Sequence, residues 1–234
     1  MKKSTLSPKK LFVAGLALSA AVGLGACGTT DNAADSSSAH VSTAAADTKL
    51  SRPEPLASLK AIGTGGSTAV KLDPGFLSAL QSLNVTPGVD GKATLADGSA
   101  SFPITGGTVT LFDKTSGYKP WVQGTIFHQG SGITLTAGST VISLENFVVD
   151  PGSPARLFGD VLVNGQLAAP SAPLFDLNGR TLKDPDLSAN PVVLTGTEVK
   201  LSAEAAALLG STLKTDAVTP GLLIGVATIS VPTA

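Results

Sequence analysis

Residues 157–168 read Leu-Phe-Gly-Asp-Val-Leu-Val-Asn-Gly-Gln-Leu-Ala, in which two short apolar runs flank Asn164-Gly165. An Asn-Gly pair readily adopts the positive φ angles of a type I′ turn, so this stretch predicts a β-hairpin. Residues 92–96 and 100–104 flank Asp97-Gly98 in the same way and predict a second hairpin. The chain of 234 residues holds 26 Gly and 15 Pro, and only 14 % of it is charged. That composition favours a β-rich domain with many turns over a helical bundle or a disordered chain.

Further apolar runs between turn signals predict additional strands, at residues 108–112, 122–128, 133–137, 141–149 and 192–201. In the run 141–149, apolar residues occupy both sets of alternating positions. A strand with one solvated face would alternate apolar and polar residues. The pattern therefore indicates a strand that is covered on both faces for part of its length.

Two segments have the sequence pattern of short helices. At residues 73–83, Asp73 stands at the N-cap and Pro74 at the first helical position, and apolar residues recur on one face. At residues 202–214, Ser202 is the N-cap and Lys214 lies at the negative end of the helix dipole.

The same tripeptides surround both predicted helices. Val-Lys-Leu precedes each helix, at residues 70–72 and 199–201, and Thr-Pro-Gly follows each one, at 86–88 and 219–221. The repetition predicts two strand–helix–strand units that pack together in one domain, and convergence on one capping pattern is the alternative explanation. The predicted fold class is β-rich α+β, with an antiparallel sandwich or barrel-like core and two short helices in duplicated strand–helix–strand units.

The N-terminus has the composition of a secretory signal. Four lysines within residues 2–10 precede the uncharged run 11–24, and small residues then lead to Cys27, the only Cys in the chain. The uncharged run is short for a membrane span, which needs about 20 residues. Its end, Leu24-Gly25-Ala26-Cys27, resembles the lipobox of bacterial prolipoproteins.

The lipobox resemblance implies that the lipoprotein signal peptidase recognises Leu24, Gly25 and Ala26 and cuts before Cys27. Cys27 would then be the mature N-terminus and carry diacylglycerol with palmitate-type chains on its sulfur, because a thiolate is the nucleophile that takes the lipid. Two alternatives remain at this point. The chain could be an ordinary secreted protein with an incidental Cys, or its leader could stay uncleaved as a membrane anchor.

The sequence divides into three predicted regions: a lipoprotein signal peptide at 1–26, the lipidated Cys and a disordered tether at 27–55, and a single β-rich globular domain at 56–234. The tether is rich in Ser, Ala, Thr and Asp and lacks the apolar residues that a folded core requires. Cleavage would leave 12 basic against 17 acidic residues and a net charge of −5. This balance disfavours nucleic acid and anionic headgroups as partners.

Catalytic motifs in the sequence are incomplete, so we predict that the protein is not an enzyme. Residues 65–69 lack the closing Gly of a nucleophile elbow, and Ser211-Thr-Leu-Lys214 lacks its companion motifs. Residues 184–190 alternate oxygen-bearing side chains, but Ala189 stands where a Ca²⁺ loop needs Gly. We therefore predict no catalytic residue, metal or cofactor. A hydrolase built on Asp and Glu residues stays open as an alternative.

One local cluster holds the candidate ligand-binding residues Tyr118, Trp121 and His128, which are the only Tyr, the only Trp and the only His outside the tether. Tyr118 and His128 are ten residues apart, and a straight strand of that length spans ~33 Å. The two side chains are thus too far apart to bind one iron atom on a straight strand. A partly buried His128 that is satisfied by a hydrogen bond is the alternative to a ligand role.

Residues 106–165 resemble the haem-binding HtaA domain of bacterial surface proteins. The shared features are Gly124-x-x-x-His128-x-Gly130, an apolar strand at 133–137, Asn146-Phe147 and Gly159-Asp160-Val161. The resemblance implies haem binding in which a Tyr as well as a His binds the haem iron. The function predicted first is that of a lipid-anchored protein on the extracytoplasmic face of the cell membrane, with a binding or structural role toward an unknown envelope ligand or protein. Binding of haem or a small apolar ligand near His128 is the alternative.

Overall fold

The computed structural model describes residues 52–60, 62–63 and 65–232. The predicted signal peptide, the lipidation site Cys27 and the tether up to residue 51 lie outside these residues. The described part of the chain forms these strands and α-helices: β1 (Ala57–Lys60), β2 (Ser67–Leu72), α1 (Pro74–Ser82), β3 (Thr86–Gly91), β4 (Thr94–Ala96), β5 (Ser99–Pro103), β6 (Gly106–Leu111), β7 (Val122–Ala137), β8 (Thr140–Asp150), β9 (Arg156–Val163), β10 (Gln166–Asn178), β11 (Val192–Leu201), α2 (Ala203–Leu213) and β12 (Leu223–Val231).

All of these strands belong to one antiparallel sheet, which curls into a half-barrel. Their order is β1-β6-β7-β8-β9-β10-β11-β12-β2-β5-β4. The remaining strand, β3, pairs with the second half of β7, beyond the end of β6. The prediction of a β-rich antiparallel fold with two short helices is confirmed.

Both predicted hairpin turns are confirmed. Asp97 and Gly98 join β4 to β5 with φ angles of 51° and 67°, and Asn164 and Gly165 join β9 to β10 with φ angles of 50° and 77°. Positive φ at both central residues is the property of type I′ turns that the two sequences predict. The Asn164 side chain also accepts a hydrogen bond from the Val141 N–H at 2.8 Å, which ties this turn to β8.

Two predictions about strands are wrong. Residues 122–128 and 133–137 are not separate strands but two parts of β7, which has a bulge between His128 and Gly132. The second error concerns β8, whose buried residues all lie on the inner side of the sheet. A bulge at Asn146, where φ is 56°, moves these buried residues from even to odd positions. This bulge explains why apolar residues occupy both sets of positions along the strand.

The two helices begin at the predicted caps. An Asp73 carboxylate oxygen accepts a hydrogen bond from the Gly75 N–H at 2.8 Å, and Ser202 Oγ accepts one from the Ala205 N–H at 2.9 Å. The Ser202 hydroxyl also donates to the Pro173 carbonyl at 2.6 Å, which ties α2 to β10. No helix in the described part of the chain is long and apolar enough to cross a membrane.

The predicted strand–helix–strand units are β2-α1-β3 and β11-α2-β12. They pack together as predicted, because β2 and β12 pair from Leu72↔Gly225 to Ser67↔Ser230. In the second unit β12 pairs with β11, whereas in the first unit β3 leaves β2 and pairs with β7. The units therefore share a polar N-cap residue before the helix and the order of their elements, but not their strand pairing.

Two apolar clusters fill the inner side of the sheet. The larger one joins both helices to the middle of the sheet, through residues that include Phe76, Leu80, Phe102, Phe147 and Leu209. The smaller one lies between the strands β6–β7 and β11–β12 and includes Val109, Leu111, Ile126, Val192 and Leu194. The candidate residue His128 borders the larger cluster through Phe102.

Candidate functional site

His128 lies on the inner side of β7, directly before the first bulge, and only 2 % of it is exposed. Its Nε2 is 2.8 Å from Thr68 Oγ1 on β2. The Phe102 ring stands edge-on to the imidazole, with 6.3 Å between the ring centroids, and Phe147 packs behind Phe102. No hydrogen bond of normal geometry reaches Nδ1 from the described residues. His128 is thus more deeply buried than the sequence predicts, and Thr68 is its one side-chain hydrogen-bond partner among the described residues.

Burial sets the charge of this side chain. Desolvation lowers the pKa of His128 from 6.5 to about 4, and a hydrogen bond to the backbone of Phe147 offsets part of this shift. The imidazole is therefore neutral at physiological pH. A neutral imidazole has one N–H and one bare nitrogen, and it is the form that binds metals.

The stability of the protein should fall in mild acid because of this residue. The unfolded chain has an ordinary pKa of 6.5 for His128 and the folded chain one of about 4, so the unfolded state binds more protons between these values. We expect the free energy of unfolding to fall by about 3 kcal/mol as the pH falls from 6.5 to 4. Urea denaturation at several pH values measures this fall, and His128→Gln should remove most of it. If the free energy of unfolding of His128→Gln fell equally steeply with pH, the effect would come from the carboxylates and the role of His128 would be contradicted.

A second buried polar atom lies at the same bulge. Ser131, three residues after His128 on β7, is 1 % exposed, and its Oγ has no hydrogen-bond partner among the described residues. Buried hydroxyls normally have such a partner, so the unsatisfied Oγ of Ser131 at this bulge is unusual. Sequence reasoning missed both Thr68 and Ser131. The only signal was the position of Ser131 between Gly130 and Gly132, a pattern that is typical of a bulge.

Tyr118 lies elsewhere in the domain. Its ring packs against Phe112, with 4.8 Å between the centroids, and the guanidinium of Arg52 covers the Phe112 ring at 5.0 Å. These residues are close to the start of β7, where Leu111 pairs with Val122. His128 directly follows Phe127, the last residue of β7 in the β6–β7 ladder. Phe127 is five residues beyond Val122, which is about 17 Å along the strand.

Trp121 directly precedes β7 and also lies at the Tyr118 end of that ladder. The ammonium of Lys114 lies 4.5 Å from the centre of its ring, and the same ammonium pairs with Asp184 at 2.6 Å. Trp121 is part of the smaller apolar cluster, whereas His128 borders the larger one. The structure therefore does not bring His128 together with Tyr118 or Trp121.

Three carboxylates form a row across the outer face of the sheet. Asp90 pairs in register with Gly132, Gly132 with Glu145, and Glu145 with Asp160. Desolvation raises the pKa of Glu145, and so do a hydrogen bond and the charge of Asp90 and the charge of Asp160. Asp90 is exposed to solvent, whereas substrate sites are usually concave. In the described part of the chain, no group of three or more His, Cys, Asp or Glu residues is arranged to hold a metal ion.

The fold of this chain occurs in a known structure. The C-terminal domain of HtaA from Corynebacterium glutamicum superimposes with a TM-score of 0.50 and 15 % identity, over 75 % of this chain and 98 % of that domain. The haem-binding protein HtaB from the same organism superimposes with a TM-score of 0.46 and 12 % identity, over 75 % of this chain and 94 % of HtaB. No family model and no curated protein matches the sequence. The described domain thus has the β-rich fold of the HtaA C-terminal domain, in agreement with the sequence resemblance.

Proposed function

We propose that this chain is a lipid-anchored protein of the cell envelope that binds haem or another flat apolar ligand beside His128. The observation that carries the proposal is a neutral, buried imidazole in apolar surroundings, whose one side-chain hydrogen bond among the described residues is to Thr68. The resemblance of residues 106–165 to the HtaA haem-binding domain, together with the shared fold, supports it. The proposal assigns no catalytic role to the chain.

The donor chemistry of His128 fits haem, since imidazole is a common axial ligand of haem iron. Thr68 holds the other ring nitrogen and so fixes the orientation of the ring. Phe102 and Phe147 supply the apolar surroundings that a porphyrin requires. When bound, haem would supply a redox-active iron centre, and His128 would be the residue that holds it.

Access to His128 requires a local opening, because the side chain is enclosed. The element best suited to open is β4, which has three exposed residues and pairs only with β5. The turn between β3 and β4 contacts the β7 bulge through a hydrogen bond from the Lys92 N–H to the Gly130 carbonyl at 2.9 Å. All three residues of β4 are exposed, and segments that bury little apolar surface open at the lowest cost in free energy.

Titration of the full chain with haemin tests the proposal. We expect a saturable shift of the Soret band for the parent chain and at least a tenfold weaker affinity for His128→Gln, which keeps a polar group for Thr68 but offers iron no imidazole. Tyr118→Phe is the matched control, since Tyr118 lies at the other end of the β6–β7 ladder, and it should bind as the parent does. Far-UV circular dichroism confirms that each variant is folded.

Two results would overturn haem binding at this site. One is a parent chain whose mixture with haemin shows only the spectrum of free haemin. The other is a folded His128→Gln variant whose affinity and Soret maximum equal those of the parent.

A further inference from the structure

A groove with a mixed polar and apolar lining lies on the outer side of β2 and β5, next to the β3–β4 turn. It has a volume of about 650 Å³, and we name it the Lys92 groove. Its lining includes Lys92, the hydroxyl residues Ser67, Thr94 and Ser101, the buried Ile104, and the glycines Gly63, Gly65 and Gly66. His128 is not among the lining residues, so the groove is separate from the proposed ligand site.

The hydroxyl groups of the groove are free to bind a ligand. Thr94 and Ser101 are direct partners across the β4–β5 ladder, so their side chains lie about 5 Å apart on the same face. Ser67 is two residues from Ala69, which is the partner of Ser101 on β2. Within the described residues, none of these three hydroxyls has a hydrogen-bond partner.

The charge of the groove is positive although the chain as a whole is acidic. Lys92 is exposed, and its ammonium has no carboxylate partner among the described residues. No Asp or Glu lines the groove. The nearest acid in sequence, Asp90, interacts with Glu145 in the carboxylate row.

Neighbouring backbone packs closely against two of the lining glycines. A Cβ at Gly63 would lie 2.8 Å from the Thr105 carbonyl, and one at Gly66 would lie 3.0 Å from the Ile62 carbonyl. Only glycine allows the backbone to pack this closely, so backbone and not side chains forms this surface.

We infer that the Lys92 groove binds a sugar that carries one phosphate or carboxylate group. One unpaired ammonium matches one oxyanion, and a set of free hydroxyls matches a hydroxylated body. The volume lies within the range of small-molecule sites, which is about 300–1,000 Å³. No aromatic ring lines the groove, which argues against haem or another flat apolar ligand there.

Calorimetric titration of the full chain with glucose 6-phosphate, glucuronate, glucose and inorganic phosphate tests this assignment. We expect saturable binding of at least one of the two acidic sugars, and at least tenfold weaker binding of glucose and of phosphate alone. Lys92→Gln should weaken binding of the acidic sugar at least tenfold, and Ser101→Ala should weaken it by about threefold. Lys60→Gln removes the same charge from an exposed position on β1 outside the groove and should bind as the parent does.

Lys92→Gln should fold normally, because the structural hydrogen bond of residue 92 comes from its backbone N–H. The inference fails if neither acidic sugar binds saturably, or if Lys92→Gln binds like Lys60→Gln. If inorganic phosphate binds as tightly as glucose 6-phosphate, the assignment of a sugar as the ligand is overturned. None of these results depends on whether haemin binds at His128.

Discussion

Phe147→Ala is expected to lower the free energy of unfolding by about 3–5 kcal/mol, the usual range for removal of a buried aromatic ring. Phe147 is 3 % exposed and packs edge-on against Phe102, with 5.3 Å between the ring centroids. A Cβ at Gly159 would lie 2.9 Å from the Phe147 ring. The ring thus fills its space closely on the β9 side as well, and its removal would leave a cavity.

Phe127→Ala is the matched control for this variant. Phe127 stands on the neighbouring strand β7, but it lies on the outer face and is 38 % exposed. Its removal should cost no more than about 1 kcal/mol, as is usual for a partly exposed side chain. Urea denaturation of both variants at neutral pH gives the comparison. Equal losses would contradict the inner and outer faces that the two bulges assign to β7 and β8.

The turns and helix caps were predictable from the sequence because each depends on a few adjacent residues. Asn164-Gly165 and Asp97-Gly98 provide the positive φ angles of their turns by themselves. Asp73 and Ser202 likewise satisfy the first free N–H groups of their helices with their own side chains. No distant contact is needed for either feature.

The bulges and the pairing of β3 were not predictable, because they depend on residues far apart in the sequence. The bulge at Asn146 is stabilised by hydrogen bonds to Gly130 on β7, at 3.0 Å, and to Asp160 on β9, at 3.1 Å. If the bulge is not recognised, simple alternation from Ile142 and Leu144 places Phe147 and Val149 on the outer face, although both are buried. The burial of His128 was missed for the same reason, since its partner Thr68 is sixty residues away on β2.

The proposed site at His128 and the Lys92 groove use alternate residues of the same two strands. Thr68 and Phe102 face inward toward His128, while the adjacent Ser67 and Ser101 face the groove. Because neighbouring strand residues point to opposite faces, a substitution in one site leaves the side chains of the other in place.

Cys27→Ser is expected to move nearly all of the protein from the membrane fraction to the soluble fraction, or to leave it as an uncleaved precursor. The reason is that each buried methylene of an acyl chain contributes about 0.8 kcal/mol to membrane binding, and two chains make a stable anchor. Serine has no thiolate to accept the lipid. Detergent phase partitioning and the intact mass of the extracted protein measure the change.

A double variant, Cys27→Ser with Ser36→Cys, separates the thiol from its sequence context. It restores one thiol nine residues later, within the predicted tether and outside Leu24-Gly25-Ala26. If the lipobox directs acylation, the double variant should stay as unlipidated as Cys27→Ser. The anchor is refuted if Cys27→Ser still partitions with the parent, or if the parent itself has a free thiol at residue 27 or an intact leader. Acylation of the displaced Cys would instead show that the modification does not require the lipobox.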